Sequence, residues 1–184
     1  VLRTKDAVRA VLPDLGIMPE GWRIAPGEEV TAFCTEPGEK KDPDHKACRT
    51  SPRFMGSRTF VFPGGGVVTA YASSQPDLPS ARKSMGKQRR GAQRPEKRFG
   101  SSTSLAVPRL GDESYGVRYL MPGSKTPSLF AVFREGTVIG RVVLLPAADD
   151  GPSRAEHALL LKVARELADR IKGALDDASS GVGV

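Results

Sequence analysis

Two cysteines, Cys34 and Cys48, and the histidine between them, His45, are the side chains best suited to covalent or metal chemistry. They bracket a polar, charged segment, Thr35 to Ala47, which has little apolar surface on which to fold. A disulfide would tether that loop. In the chain-entropy model a closure of about 15 residues is worth roughly 3 kcal/mol, in an oxidising compartment. A metal site is the second reading, with Cys34, His45 and Cys48 as ligands. It lacks a fourth donor, because the other histidine is His157 and Asp42 and Asp44 are ordinary loop acids; structural zinc wants four ligands, usually from paired close spacings. Two free thiols are the third reading. The disulfide stands ahead of both, and no metal or cofactor is expected.

Other candidates for chemistry are weaker. Gly111-Asp112-Glu113-Ser114 places two carboxylates side by side, but neighbours on an extended chain point to opposite faces, so convergence for acid/base work is not expected. A turn in which Asp112 bonds its own backbone is the expected role. Gly123-Ser124-Lys125-Thr126 has the wrong order and Gly spacing for a phosphate loop. No Gly-x-Ser-x-Gly elbow is present, and His157 stands near a helix start as a surface residue rather than a base. No catalytic residue is assigned, and the chain reads as a binder or sensor rather than an enzyme. An enzyme with an unrecognised site ranks last.

Charge is concentrated in one place. The formal charge is +7, and Arg82 to Arg98 holds eight basic residues against one acid, Glu96, which leaves 20 of each sign elsewhere. The whole excess belongs to this segment. A solvated helix face is its bland reading. The sharper one is an anion-facing surface, in which Lys83, Lys87, Arg89, Arg90, Arg94, Lys97 and Arg98 meet an anionic cell-wall polymer or membrane headgroups. Nucleic acid is disfavoured, because Phe99 is the aromatic nearby and base stacking usually needs several. A cytosolic basic nucleic-acid-binding protein, with both cysteines reduced, is the alternative function.

The elements that must position these groups follow from pattern. At 184 residues one hydrophobic core is expected, in a domain spanning 1–177 with a flexible Gly-containing tail at 178–184. A helix from Thr4 to Leu12, capped by Thr4, stops at Pro13. Leu15 to Trp22 reads as extended and turn-rich, with Trp22 plugging one end of the core. Strands are expected over Glu29–Cys34, Ser57–Pro63, Val67–Ser73, Ser102–Val107, Tyr115–Met121, Leu129–Arg134 and Val138–Leu145. Gly64-Gly65-Gly66 and Glu135-Gly136 mark two antiparallel hairpins. Pro76 to Pro95 permits a helix weakened by Gly86 and Gly91, each by about 1 kcal/mol. Ser153 and Glu156 form a capping box opening an amphipathic helix through Leu159, Val163, Leu167, Ile171 and Leu175. The fold class is therefore α+β, a single antiparallel sheet packed against an N-terminal and a long C-terminal helix. No stretch approaches the roughly 20 apolar residues of a membrane span. No signal segment precedes Val1, and the missing initiator Met is compatible with removal of a leader.

The order of several short pieces carries a resemblance: Leu12-Pro13-Asp14-Leu15, Pro19-Glu20-Gly21-Trp22, Gly111-Asp112-Glu113-Ser114 and Arg134-Glu135-Gly136-Thr137-Val138. In that order the chain resembles the extracytoplasmic sensor-like domains of actinobacteria, a group that includes the outer domain of the mycobacterial serine/threonine kinase PknH and many cell-envelope lipoproteins. The resemblance implies an antiparallel sheet with packed helices, disulfide bonding, export as a secreted or lipid-anchored protein, and a cleft or surface for a ligand. It transfers no catalytic residue. The basic segment from Arg82 to Arg98 departs from what the resemblance leads one to expect.

Overall fold

Antiparallel sheets expose alternate residues to opposite faces, so a strand whose apolar residues fall on one parity needs a partner layer on that side only. The computed structural model, which describes residues 2–27, 30–32, 53–93, 101–120, 124–147 and 151–180, realises this arrangement. Cys34, His45 and Cys48, and with them the expected disulfide, lie outside the described residues, as do Arg94, Lys97 and Arg98. In chain order the elements are helix α1 (Lys5–Ala10), a 3₁₀ turn (Leu15–Ile17), strands β1 (Arg23–Ile24), β2 (Val30–Ala32), β3 (Phe54–Val61) and β4 (Val67–Ser74), helix α2 (Leu78–Gln93), strands β5 (Ser101–Leu105), β6 (Glu113–Leu120), β7 (Ser128–Glu135) and β8 (Val138–Leu145), and helix α3 (Arg154–Ser180).

One sheet contains all eight strands in the order β1-β3-β4-β8-β7-β6-β5, with β2 also pairing β3, and its ladders are antiparallel. The hairpin β3–β4 and the meander β5–β8 are joined by the β4–β8 ladder, which pairs Val67 with Leu145 through Ser74 with Val138. Both expected hairpins form. The β7–β8 turn is the pair Gly136-Thr137, one residue later than expected, and Gly136 has φ +53, as a first turn position of the II′ kind requires. The fold class is α+β, as the sequence pattern indicates.

The covered face carries the core. Phe60 of β3, Val68 of β4, Leu129 and Phe133 of β7 and Val142 and Leu144 of β8 pack with Val8 and Leu12 of α1 and Leu160, Val163, Leu167 and Ile171 of α3. Fully burying each such side chain stabilises the fold by about 1.5–3 kcal/mol. The capping box at the start of α3 is made as expected. Glu156 N–H donates to Ser153 Oγ at 3.2 Å, and Ser153 N–H donates to Glu156 Oε2 at 2.8 Å. Burial opposes ionisation of Glu156, but the backbone N–H bonds from Ser153 and Ala147 outweigh it and hold the carboxyl below its ordinary value.

An arginine clamp fixes the chain after α1. Arg58 donates to the Pro13 carbonyl at 2.9 Å and to Asp14 at 2.8 Å, and Arg170 of α3 donates to Asp14 at 2.7 Å. The Arg170 hydrogen bond is the main reason that the Asp14 carboxyl lies below its usual range. This clamp explains why Leu15–Ile17 winds into a 3₁₀ turn instead of running extended: Met18 N–H returns to the Leu15 carbonyl and Met18 itself is buried. Trp22 packs at the core's edge and tilts against Phe62 at 5.6 Å. Helix α3 continues to Ser180, past Ala178 where the tail was expected to begin.

Candidate functional site

Among the described residues α2 is the one helix on the second face of the sheet, and it touches part of that face. Its Ala81 and Met85 are buried, and Met85 packs with Val132 of β7 and Ile139 of β8. That anchorage is sufficient to carry the helix through Gly86 and Gly91. Beside the contact lies a hollow of about 280 Å³ lined by Gln88 and Ala92 of α2, Tyr115, Val117 and Tyr119 of β6, Phe130 and Val132 of β7, and Arg141 of β8.

Strand parity places these groups. Tyr115, Val117 and Tyr119 alternate along β6 and stand opposite Val132, Phe130 and Ser128 of β7. Tyr71 of β4 pairs with Arg141 of β8 and so shares the same face. All three tyrosines of the chain are therefore on it. Tyr119 and Phe130 meet edge to face with centroids 6.2 Å apart. Two guanidinium groups lie over tyrosine rings, Arg141 over Tyr71 at 4.3 Å and Arg89 over Tyr115 at 5.7 Å, an attraction driven by the ring quadrupole. Burial pushes the Tyr115 hydroxyl up to about 12 against the opposing influence of Arg141 and Arg89. A second hollow of about 220 Å³ continues from the first, past Arg89 and Tyr115 to Ser102 and Ser104 of β5. Ser102 Oγ donates to the Ala92 carbonyl at 2.5 Å and holds the end of α2 to that strand.

The basic residues sit on the outer side of the same helix. Arg82, Lys83, Lys87, Arg89 and Arg90 are exposed, and among the described residues none of the five pairs with a carboxylate. The structure thus gathers Lys83, Lys87, Arg89 and Arg90 on one helix, with Arg89 folded back toward the groove.

The Asp112-Glu113 pair departs from expectation. Both carboxylates converge on one guanidinium, with Arg134 Nη1 donating to Asp112 at 2.5 Å and Arg134 Nε donating to Glu113 at 2.6 Å. Convergence arises because Asp112 precedes the strand, in a turn opened by Gly111 at φ +59, and does not follow the strand's alternation. Asp112 also accepts from Gly136 N–H at 3.0 Å, so it ties two turns together in place of capping its own backbone. Arg134 is only 5% exposed. The cluster ties Arg134 to Asp112, Glu113 and the Gly136 carbonyl and works as a brace between the start of β6 and the β7–β8 turn. His157 stands on the first turn of α3, its Nε2 3.3 Å from the Ala106 carbonyl.

Nothing local in the sequence marks the tyrosines and Arg141 as a site. Their parity was legible in each strand, but which parity faces an open groove depends on where α2 lands.

No family model matches this chain, and no curated protein matches it. Among solved structures it is similar to the crystal structure of the extracellular domain of PknH from Mycobacterium tuberculosis, with a TM-score of 0.58 and 9% identity, covering 92% of this chain and 98% of that one. At that identity the likeness is one of fold, and the resemblance drawn from the order of short motifs holds at that level.

Proposed function

We propose that this chain is a non-catalytic extracytoplasmic binding or sensor domain of a cell-envelope lipoprotein, which meets an anionic envelope ligand through the outer side of α2. The observation that carries this reading is the row Lys83, Lys87 and Arg90, exposed on one helix with no carboxylate partner among the described residues. Charges left unpaired on a rigid element raise the local potential and draw anions to it. The fold likeness to an extracellular domain supports placement outside the cytoplasm. No helix among the described residues is long and apolar enough to cross a membrane.

Sedimentation with phosphatidylglycerol vesicles tests the reading, with phosphatidylcholine vesicles and a duplex oligonucleotide as comparators. Each cationic side chain near an anionic surface is worth about 1 kcal/mol. The variant Lys83→Glu/Lys87→Glu/Arg90→Glu should therefore lose roughly a hundredfold in affinity, and binding by the parent should weaken with salt as screening shortens to about 8 Å. Equal binding by parent and variant would refute the surface. Capture of the oligonucleotide in preference to the vesicles would move the function to nucleic acid.

A further inference from the structure

We infer that the hollow between α2 and strands β6–β8 binds one small amphipathic anion, an alkyl chain bearing a carboxylate, with the chain against Val117, Tyr119 and Phe130 and the charge at Arg141. This goes beyond the outer surface of α2, because the site lies on the helix's inner flank and uses none of Lys83, Lys87 and Arg90. The walls are apolar and aromatic, and the polar groups among them are few and cationic or neutral: Arg141, Gln88 and the tyrosine hydroxyls. That composition, a mostly apolar concavity with a small number of convergent polar groups, is the composition of small-molecule sites. Its volume of about 280 Å³ lies near the lower end of such sites, roughly 300–1,000 Å³, and suits one short chain rather than a folded partner.

Charge complementarity selects the head group. Among the described residues neither Arg89 nor Arg141 pairs with a carboxylate, and no acid lines either hollow. The Arg141 guanidinium carbon lies 4.3 Å from the Tyr71 ring centroid, and the group keeps N–H donors for an oxygen pair. A neutral amphiphile would bury the same apolar area without engaging them.

The test is an amide-resolved NMR titration of the whole chain with octanoate, kept below its micellar range, and with 1-octanol at equal concentration. Octanoate should give saturable shifts centred on β6, β7, β8 and α2 and should bind at least tenfold more tightly than octanol, the range expected for hydrogen bonds to a charged partner. Arg141→Met keeps the aliphatic stem and should cost octanoate tenfold or more while leaving octanol unchanged. Ala92→Phe places a ring in the hollow from α2 and should abolish binding of both, and unfolding curves matching the parent's would show that either variant still folds. Lys83→Glu/Lys87→Glu/Arg90→Glu should leave octanoate affinity within about threefold, its distant charges being screened, even where it loses vesicles. No saturable octanoate binding, equal binding of octanol, or indifference to Arg141→Met or Ala92→Phe would each overturn the site, whatever the vesicle result.

Discussion

Gly140 should be among the positions least tolerant of a single added methyl group. It lies in β8 directly opposite Phe133 of β7, and the Phe133 ring lies flat across it. A Cβ at position 140 would overlap the tip of that ring and come within 2.6 Å of both ε carbons. Ring tips normally swing aside at little cost, but Phe133 is 0% exposed and is held within the core formed with α3. Overpacking of this kind costs about 1–3 kcal/mol. Against it, alanine in a strand recovers about 0.5–1 kcal/mol of backbone entropy relative to glycine. Gly140→Ala should therefore lower stability by up to about 2.5 kcal/mol, or as much as about 10 °C in midpoint for a chain of this size. Urea unfolding followed by circular dichroism measures it, in a cycle with Phe133→Leu. In the Phe133→Leu background the overlap is gone, and Gly140→Ala should become neutral or stabilising. An equal loss in both backgrounds would refute the ring overlap as the cause. A stabilising effect in the parent would refute more, because Ile139 and Arg141 flank Gly140 and the same parity places Arg141 in the groove.

Two further outcomes follow from the sequence and the site. Alkylation of the native protein without reductant should leave Cys34 and Cys48 unmodified, with an intact mass about 2 Da below the reduced value; two alkylated sulfurs would remove the independent argument for export. Tyr115 should give a late tyrosinate step near pH 12 in near-ultraviolet absorbance, absent from Tyr115→Phe. Its folded value exceeds the ordinary 10.0, so its contribution to stability is complete below about pH 10 and is lost as pH rises through about 12. Alkaline unfolding that is identical in the parent and Tyr115→Phe would show that burial does not hold the hydroxyl protonated.

What the sequence disclosed and what it withheld divide along physical lines. Strand β8 was legible to the residue, Val138 to Leu145, because β-branched residues and a glycine turn mark both its register and its start. The capping box of α3 was equally plain, since Ser153 and Glu156 need only each other. By contrast β1 is two residues long and owes its existence to pairing with Phe60 and Val61, distant in sequence. The convergence of Asp112 and Glu113 on Arg134 likewise depends on a partner 21 and 22 residues away. Local rules placed Asp112 correctly in a turn and misjudged where its carboxylate would go.

The groove shows the same limit at a larger scale, and shows why the basic segment alone was an incomplete description of the site. From sequence, Lys83, Lys87, Arg89 and Arg90 form a charge run, and a charge run has no inside. Once Met85 docks on Val132 and Ile139, the helix acquires two flanks with different chemistry. Lys83, Lys87 and Arg90 face solvent, and Arg89, also exposed, reaches over Tyr115 to line the second hollow. Arg141, a lone charge in an otherwise apolar strand, lies over Tyr71 and lines the first hollow. An isolated charge is tolerated in the middle of β8 because the described residues cover only part of its face of the sheet and leave Arg141 half-buried. The part of that face which the described residues leave uncovered is also where the hollow beside Arg141 lies.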